Sequence, residues 1–338
     1  MRKQEYGSCE GKKHSSAARK ALLAFFVLLL AFLLLSAAGT PLAFRLLFGR
    51  RDDVPATEMC LPADVRFEEI SFYSGKALLH GRLYAALDAC GLVVVCHGVG
   101  GGMDSHLAEI LRFTEEGFAV LSYDGTGTRG SGGSGVRGLS QARFDLEAAL
   151  DYVQSDPWLR SLPLMLYGHS AGGYAVAVCA AEHPEVCRAV SLAAFDRPVE
   201  LMLLQARSRV GFLADLEAPF LRLYNRFLFG PDGDASASER LAVSPCPVLI
   251  AAGTDDTVVP YTASLYAHVA ETGDPDCERI MLPGGHSDFW LTEEALAERR
   301  LAQEGLDFDP VRCNELNEEL FGEICAFFAE PVELENAA

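Results

Sequence analysis

Two hydrophobic patterns succeed one another along the chain. The first is a single run: between Lys20 and Arg45 lie 24 residues without a charge, reading ALLAFFVLLLAFLLLSAAGTPLAF. A helix rises about 1.5 Å per residue, so roughly 20 apolar residues cross the hydrocarbon core of a bilayer, and this run is long enough to do so. The second pattern begins at Val65, where short apolar blocks alternate with amphipathic stretches. VRFEEISFY and ALLHGRLYAAL, joined by Ser74, Gly75 and Lys76, read as two strands around a turn. GLVVVCHG, FAVLSYDG and LPLMLYGHS are continuous apolar blocks, as expected of strands buried on both faces, and RAVSLAAF, CPVLIAAG and ERIMLPG read as further strands. Helical spacing fills the intervals. HLAEILRFTEEG, SQARFDLEAALDYVQSD and AGGYAVAVCAAEHP each follow a strand or its loop, and NELNEELFGEICAFFAE closes the series.

Strands alternating with helices specify an α/β fold, with a mostly parallel sheet covered by helices on both faces. Sites in such sheets lie beyond the carboxyl ends of the strands, here the loops after VVVC, VLSY, LMLY, LIAA and IMLP. One segment breaks the rhythm. Residues 196–244 hold no clear strand and contain LMLLQARSRVGFLADLEAPFLRLYNRFLFG, which reads as a helical cap insert. Within it Phe220, Leu223, Tyr224, Phe227 and Leu228 form an apolar stripe with two possible destinations, a pocket for an acyl chain or packing onto the core. The second is the commoner fate of an amphipathic helix. The layout expected is a basic segment (1–20), a transmembrane anchor (21–44), a linker (45–64), a main domain (65–330) and a C-terminal tail (331–338).

Charge separates leader from body. The formal net charge is −19, which excludes a nucleic-acid partner because phosphate binding needs a basic surface. Nine basic and only two acidic residues fall in the first 51 positions. Arg2, Lys3, Lys12, Lys13, Arg19 and Lys20 favour a cytoplasmic N-terminus, a helix crossing the cell membrane once and a body outside, although Arg45, Arg50 and Arg51 weaken the asymmetry. A cleaved signal peptide is the alternative, since Ser36, Ala37, Ala38 and Gly39 are small, and cleavage would secrete the body. The long polar N-terminal region and an apolar run exceeding the roughly 7–15 residues of a signal core favour the anchor. The ten cysteines contain no CxxC pair and do not fix the compartment. Cys96, Cys179 and Cys325 sit among apolar neighbours, as buried thiols do.

The chemistry concentrates at Gly168-His169-Ser170-Ala171-Gly172, a G-x-S-x-G motif between a strand and a helix. Its glycines allow a sharp turn that lifts the Ser hydroxyl above the sheet, beside a helix N-terminus where the Ala171 N–H can meet an oxyanion. From this motif the body resembles the α/β-hydrolase family over roughly Val65 to Ala329. It is most similar to the branch of acylglycerol lipases, esterases and serine aminopeptidase-like hydrolases with an HGxG loop and a helical cap. The family order is Ser, acid, His. Gly253-Thr254-Asp255-Asp256-Thr257-Val258-Val259-Pro260 is similar to the family's G-x-x-D-x-x-V-P acid loop, implying Asp256, with Asp255 beside it as the alternative. Gly284-Gly285-His286-Ser287-Asp288 resembles the loop of the catalytic His, implying His286. Cys96-His97-Gly98-Val99-Gly100-Gly101-Gly102 resembles the oxyanion loop, implying a Val99 N–H alongside that of Ala171. Asp124 to Ser131 looks like a rim loop of the family, with its Arg displaced and no catalytic role implied.

The expectation is a membrane-anchored serine hydrolase that cleaves carboxylic esters, small or lipid, through Ser170, His286 and Asp256 and an acyl-enzyme. No cofactor and no metal are implied; Asp104 and His106 have no third ligand type beside them. A serine aminopeptidase-like peptidase uses the same machinery, and a catalytically silent hydrolase fold acting as a binding module is the alternative of another class.

Overall fold

The computed structural model describes residues 10–85, 88–272 and 277–331; the first nine residues of the basic segment and the tail from residue 332 onward lie outside the described residues. In chain order the helices and strands are α1 (Glu10–Leu47), β1 (Glu68–Ser74), β2 (Ala77–Tyr84), β3 (Leu92–Cys96), α2 (Leu107–Glu115), β4 (Ala119–Tyr123), α3 (Gln141–Ser155), β5 (Leu164–His169), α4 (Ala171–Glu182), β6 (Val186–Leu192), α5 (Pro198–Val210), α6 (Leu213–Phe229), α7 (Ala237–Leu241), β7 (Val248–Gly253), α8 (Leu265–Thr272), β8 (Cys277–Leu282), α9 (Glu293–Gln303) and α10 (Glu318–Ala329). The strands form one eight-stranded sheet in the order β1-β2-β4-β3-β5-β6-β7-β8. The β1–β2 hairpin joins antiparallel, and β2 meets β4 antiparallel; β3 to β8 are all parallel.

Burial on both faces explains why the central strands read as unbroken apolar runs. Along β3, Leu92, Val94 and Cys96 enter a core shared with α3 and α4, while Val93 and Val95 enter another shared with α2 and α10. Helix α4 is buried almost throughout, which is why its sequence up to the final Glu182 is Ala, Gly, Val and Cys with one Tyr. Helices α8 and α9 were not legible as separate elements, because neither carries a strong amphipathic stripe and both sit between longer loops.

The leader forms one helix longer than the 24-residue uncharged run, and Ala18–Leu47 is long and apolar enough to cross a membrane. From Ala21 to Ala31 it is exposed; beyond that it meets the body every fourth residue, at Phe32, Ser36, Thr40, Phe44 and Phe48. The partner is α6: Phe32 packs on Phe220, Phe44 on Tyr224, and Ser36 Oγ donates to Glu217 Oε1 at 2.7 Å. The cap stripe therefore divides. Phe220, Tyr224 and Leu228 pack beside α1 rather than onto the sheet's core, and Leu223 and Phe227 stay exposed. Residues 45–64, expected as a linker, are held down: Gly49 and Arg51 bridge to Gly135 and Thr128, and Arg50 donates to the Ser131 and Gly133 carbonyls. No disulfide joins the described cysteines.

The connection between sheet and rim is held by a buried carboxylate. Asp145 on α3 accepts from Ser74 Oγ, the Thr126 N–H, Thr126 Oγ1 and Gln141 Nε2 at 2.6–2.8 Å, tying the end of β1 to the loop after β4. Asp145→Ala strands these donors in a dry site, with an expected loss of about 3 kcal/mol of stability. Chemical denaturation of the full-length chain measures it, and a loss under about 1 kcal/mol would mean that water replaces the carboxylate.

Candidate active site

Ser170 occupies the turn from β5 into α4 with φ 56° and ψ −117°, a left-handed conformation that an L-residue adopts only under compulsion. The compulsion is close backbone packing. A Cβ on Gly172 would lie 2.0 Å from the Cys96 carbonyl oxygen, and one on Gly168 would lie 2.4 Å from the Gly172 oxygen. Only glycine lets α4 start this near the end of β3. The turn is pinned further by the Ser170 N–H, which donates to the Leu192 carbonyl at 2.8 Å.

Three segments distant in sequence converge here. His286 Nε2 lies 2.9 Å from Ser170 Oγ, and His286 Nδ1 lies 2.7 Å from Asp256 Oδ2. The other oxygen of Asp256 accepts the N–H groups of Val258 and Val259, both at 2.8 Å, so the carboxylate is fixed before it meets the imidazole. Asp255 is turned away: its carboxylate accepts from Thr254 Oγ1 at an exposed position. Of the two adjacent acids, the geometry thus brings Asp256 to His286. The hydrogen bonds require His286 to carry its proton on Nδ1 and present Nε2 to the hydroxyl.

The HGxG loop closes over Ser170, and a Cβ on Gly98 would sit 3.1 Å from Ser170 Cβ. Gly101 N–H donates to the Gly98 carbonyl at 3.1 Å, which places Val99 inside a tight turn beside the serine. Ala171 is the first residue of α4, so its N–H has no intrahelical acceptor. Both donors predicted for an oxyanion therefore border Ser170.

Three features of this site escaped the sequence. His97 accepts the Gly125 N–H at Nε2 (2.9 Å) and donates from Nδ1 to the Gly98 carbonyl (2.7 Å), which fixes a neutral tautomer and the shape of the loop. His169 donates from Nε2 to the His286 carbonyl at 2.8 Å and packs on Trp290, clamping the histidine loop to the elbow. Arg129 pairs with Glu58 and reaches Ser105 Oγ, so the rim loop, the residues after α1 and the HGxG loop form one unit. The sole signal for His169 was its place beside the nucleophile; the pairings of His97 with Gly125 and of Arg129 with Glu58 join positions 28 and 71 residues apart. Asp104 is paired with Arg82, and His106 with Glu109.

Above the serine lies a cavity of about 900 Å³. The lining from α1, α5 and α6 is mostly apolar, with Ser36, Thr40, Gln205, Arg209 and Glu217 among it, and Glu58, Ser105, Glu109, Arg299 and Asn314 add further polar groups.

An eight-stranded α/β sheet with a strained serine after β5, an acid after β7 and a histidine after β8 is the arrangement of the α/β-hydrolase fold. A family model described as serine aminopeptidase, S33, matches residues 88–228. The chain is 28% identical over 245 residues to the uncharacterized protein YfhR of Salmonella typhi, covering 68% of this chain and 78% of that one. Among solved structures it is similar to the esterase Pf2001 of Pyrococcus furiosus, with a TM-score of 0.58, 16% identity and coverage of 84% of this chain and 98% of the other. Est1E of Butyrivibrio proteoclasticus, solved with ferulic acid bound, aligns with a TM-score of 0.51 and 18% identity, over 70% of this chain and 97% of its own.

Burial, and then the neighbouring imidazole of His286, hold the pKa of His169 well below its ordinary 6.5. In the unfolded chain His169 protonates near 6.5, so below that pH the unfolded state binds a proton that the folded state refuses. Stability from this residue is complete above about pH 6.5 and falls as the pH drops. In His169→Gln the amide keeps a donor for the His286 carbonyl but does not titrate. The melting temperature of the wild type is expected to fall more steeply than that of the variant between about pH 6.5 and 5, as read by calorimetry. Parallel curves would show that His169 does not carry this dependence.

Proposed function

We propose that the chain is a membrane-anchored serine hydrolase that cleaves carboxylic esters through an acyl-enzyme. The observation that carries this reading is the position of His286, within hydrogen-bond distance of both Ser170 Oγ and Asp256. His286 takes the proton of Ser170 as the oxygen attacks the ester carbonyl, and Asp256 stabilises the imidazolium that forms. The Val99 and Ala171 N–H groups receive the charge that gathers on the carbonyl oxygen. His286 then returns its proton to the departing alcohol, leaving the acyl group on Ser170. Water enters, His286 deprotonates it, and the second tetrahedral intermediate collapses to release the acid.

The matched family description keeps a peptidase as a second reading. Hydrolysis by a serine aminopeptidase needs a carboxylate free to hold the substrate's ammonium. Glu58 pairs with Arg129 through Oε1, Glu109 bonds His106 and Glu217 accepts one hydroxyl, each through a single oxygen, and Glu58 Oε2 has no partner among the described residues, so the cavity does hold carboxylates that could meet an ammonium. The ester is favoured by the apolar lining from Phe32, Leu35, Phe44, Leu201 and Leu221. The apolar helix, which could serve as an anchor or as a signal sequence, is read as the anchor because its last turns pack on the cap.

The test uses the full-length protein in detergent micelles with a fluorophosphonate probe, p-nitrophenyl esters and aminoacyl amides. Labelling is expected in the wild type and absent in Ser170→Ala. Ester kcat should fall on the order of 10⁴-fold in His286→Ala and by a comparable factor in Asp256→Asn, which loses the correct tautomer. Amide turnover without ester turnover would establish the peptidase instead. A folded wild type that neither labels nor turns over either substrate would leave the fold as a binding module.

A further inference from the structure

Resting on the ester-hydrolase reading, we propose that the substrate is a membrane lipid ester, and that its acyl chain enters sideways from the bilayer between α1 and cap helices α5 and α6. The anchor helix is then one wall of the substrate cavity.

The first observation is where α1 meets the body. Its contacts begin at Phe32, twelve residues past Lys20, which is about 18 Å along the helix axis. A bilayer's hydrocarbon core is about 30 Å thick. With Lys20 held at one surface, the α1–α6 seam therefore begins inside the hydrocarbon, and the cap dips into the opposite leaflet. The surface of the cap agrees with immersion: Phe212 (75% exposed), Leu213, Leu216, Leu223 and Phe227 (80% exposed) project without cover, as do Leu42 and Leu46 of α1. Large exposed apolar side chains gathered on two helices that pack together mark a surface built for lipid. Of the cap charges, Arg207 and Asp215 pair with each other at 2.6 Å, and the exposed Arg209, Arg222 and Arg226 are long enough to reach lipid phosphates at the interface.

The second observation is the cavity itself. Its wall includes Leu35, Gly39, Thr40, Ala43 and Leu47 of α1, facing Leu203 of α5 and ending at Ser170 and His286. Small residues on α1 leave the passage open; a Cβ on Gly39 would meet nothing within 4 Å. The far side is polar, with Glu58, Ser105, Arg299 and Asn314. A cavity lined on the α1 side mostly by apolar side chains, with Ser170 in its lining and polar groups at Glu58, Ser105, Arg299 and Asn314, matches the parts of a lipid ester: acyl chain, carbonyl and headgroup; Arg209 and Glu217 mark where the passage meets polar headgroups. The N-terminal constraint is rigid, because Arg50 and Arg51 are bonded to the loop that carries Arg129, so α1 and the cavity keep one geometry.

The test uses the full-length protein in phosphatidylcholine nanodiscs, with p-nitrophenyl laurate and acetate as substrates. Gly39→Trp and Ala43→Trp fill the channel from the α1 side, and Leu34→Trp places the same bulk on the exposed face. The wild type is expected to turn over laurate; the ratio of laurate to acetate kcat/KM should fall at least about tenfold in Gly39→Trp and Ala43→Trp and by less than about twofold in Leu34→Trp. Fluorophosphonate labelling of every variant confirms that the elbow is intact. A photoreactive diazirine at the end of a phosphatidylcholine acyl chain supplies a measurement needing no variant: crosslinks should include Leu203, which is 4% exposed and is reached only from inside the cavity. An unchanged ratio in labelled channel variants, turnover of acetate alone, or crosslinks confined to outward side chains would overturn lateral entry while leaving the serine-hydrolase reading intact. Wild-type protein that does not label would remove both.

Discussion

The close approach of the β5–α4 turn to the end of β3 is the constraint on which the rest of the site depends. Glycines at 168 and 172 let backbone touch backbone, and the strain at Ser170 is sustained because the surrounding strands leave the turn no other path. From that contact the other parts take their places. The HGxG loop rests on the serine because it leaves the same end of β3, and His169, adjacent to the nucleophile, holds the carbonyl of His286. The loops after β7 and β8 are joined in turn: the Asp255 N–H donates to the Gly284 carbonyl, and a Cβ on Gly253 would strike the same oxygen at 2.4 Å. Ser170, Asp256 and His286 are thus positioned by main chain packed against main chain, which deforms little, with the buried His169 ring as a clamp between two of the loops.

Buried neutral imidazoles give this site a particular electrostatic character. His97 and His169 are both pushed by desolvation toward the uncharged form, and each spends its ring proton on a carbonyl of a loop bordering Ser170. Neither adds a positive charge that would compete with His286 for the negative charge of Asp256. They act as positioning residues, and their value lies in being neutral donors of fixed orientation.

The leader helix is as much a part of this architecture as the sheet. Its i, i+4 ladder from Phe32 to Phe48 packs on the cap, and the residues that follow are stitched to the rim loop, which in turn bonds Glu58 and the HGxG loop through Arg129 and Ser105. Few contacts separate the apolar helix from Ser170. A helix joined only by a flexible tether would add nothing to a cavity, whereas this one supplies part of its lining.

Local pattern determined a large part of this protein. The apolar run, the buried strands, the strand–turn–helix around Ser170 and the glycine loops after β3, β7 and β8 were each readable, because each is governed by residues within a dozen positions of one another. The α/β class followed from their alternation, Ser170 stood out by its motif, and resemblance to the loops of the hydrolase family implied Asp256, with Asp255 as its alternative, and His286. Which of Asp255 and Asp256 faces His286 was decided only by tertiary structure, since adjacent side chains point in different directions and the partner lies 30 residues away. The cap stripe was read correctly as apolar, but its destination was not: the larger part of it meets α1, a segment roughly 180 residues earlier. Small residues at positions 36 to 39 invited comparison with a cleavage site, while in the fold Ser36 bonds the cap and Gly39 borders the cavity. Hydrophobic periodicity reports that a face will be buried; what buries it is set by packing between segments that share no sequence neighbourhood.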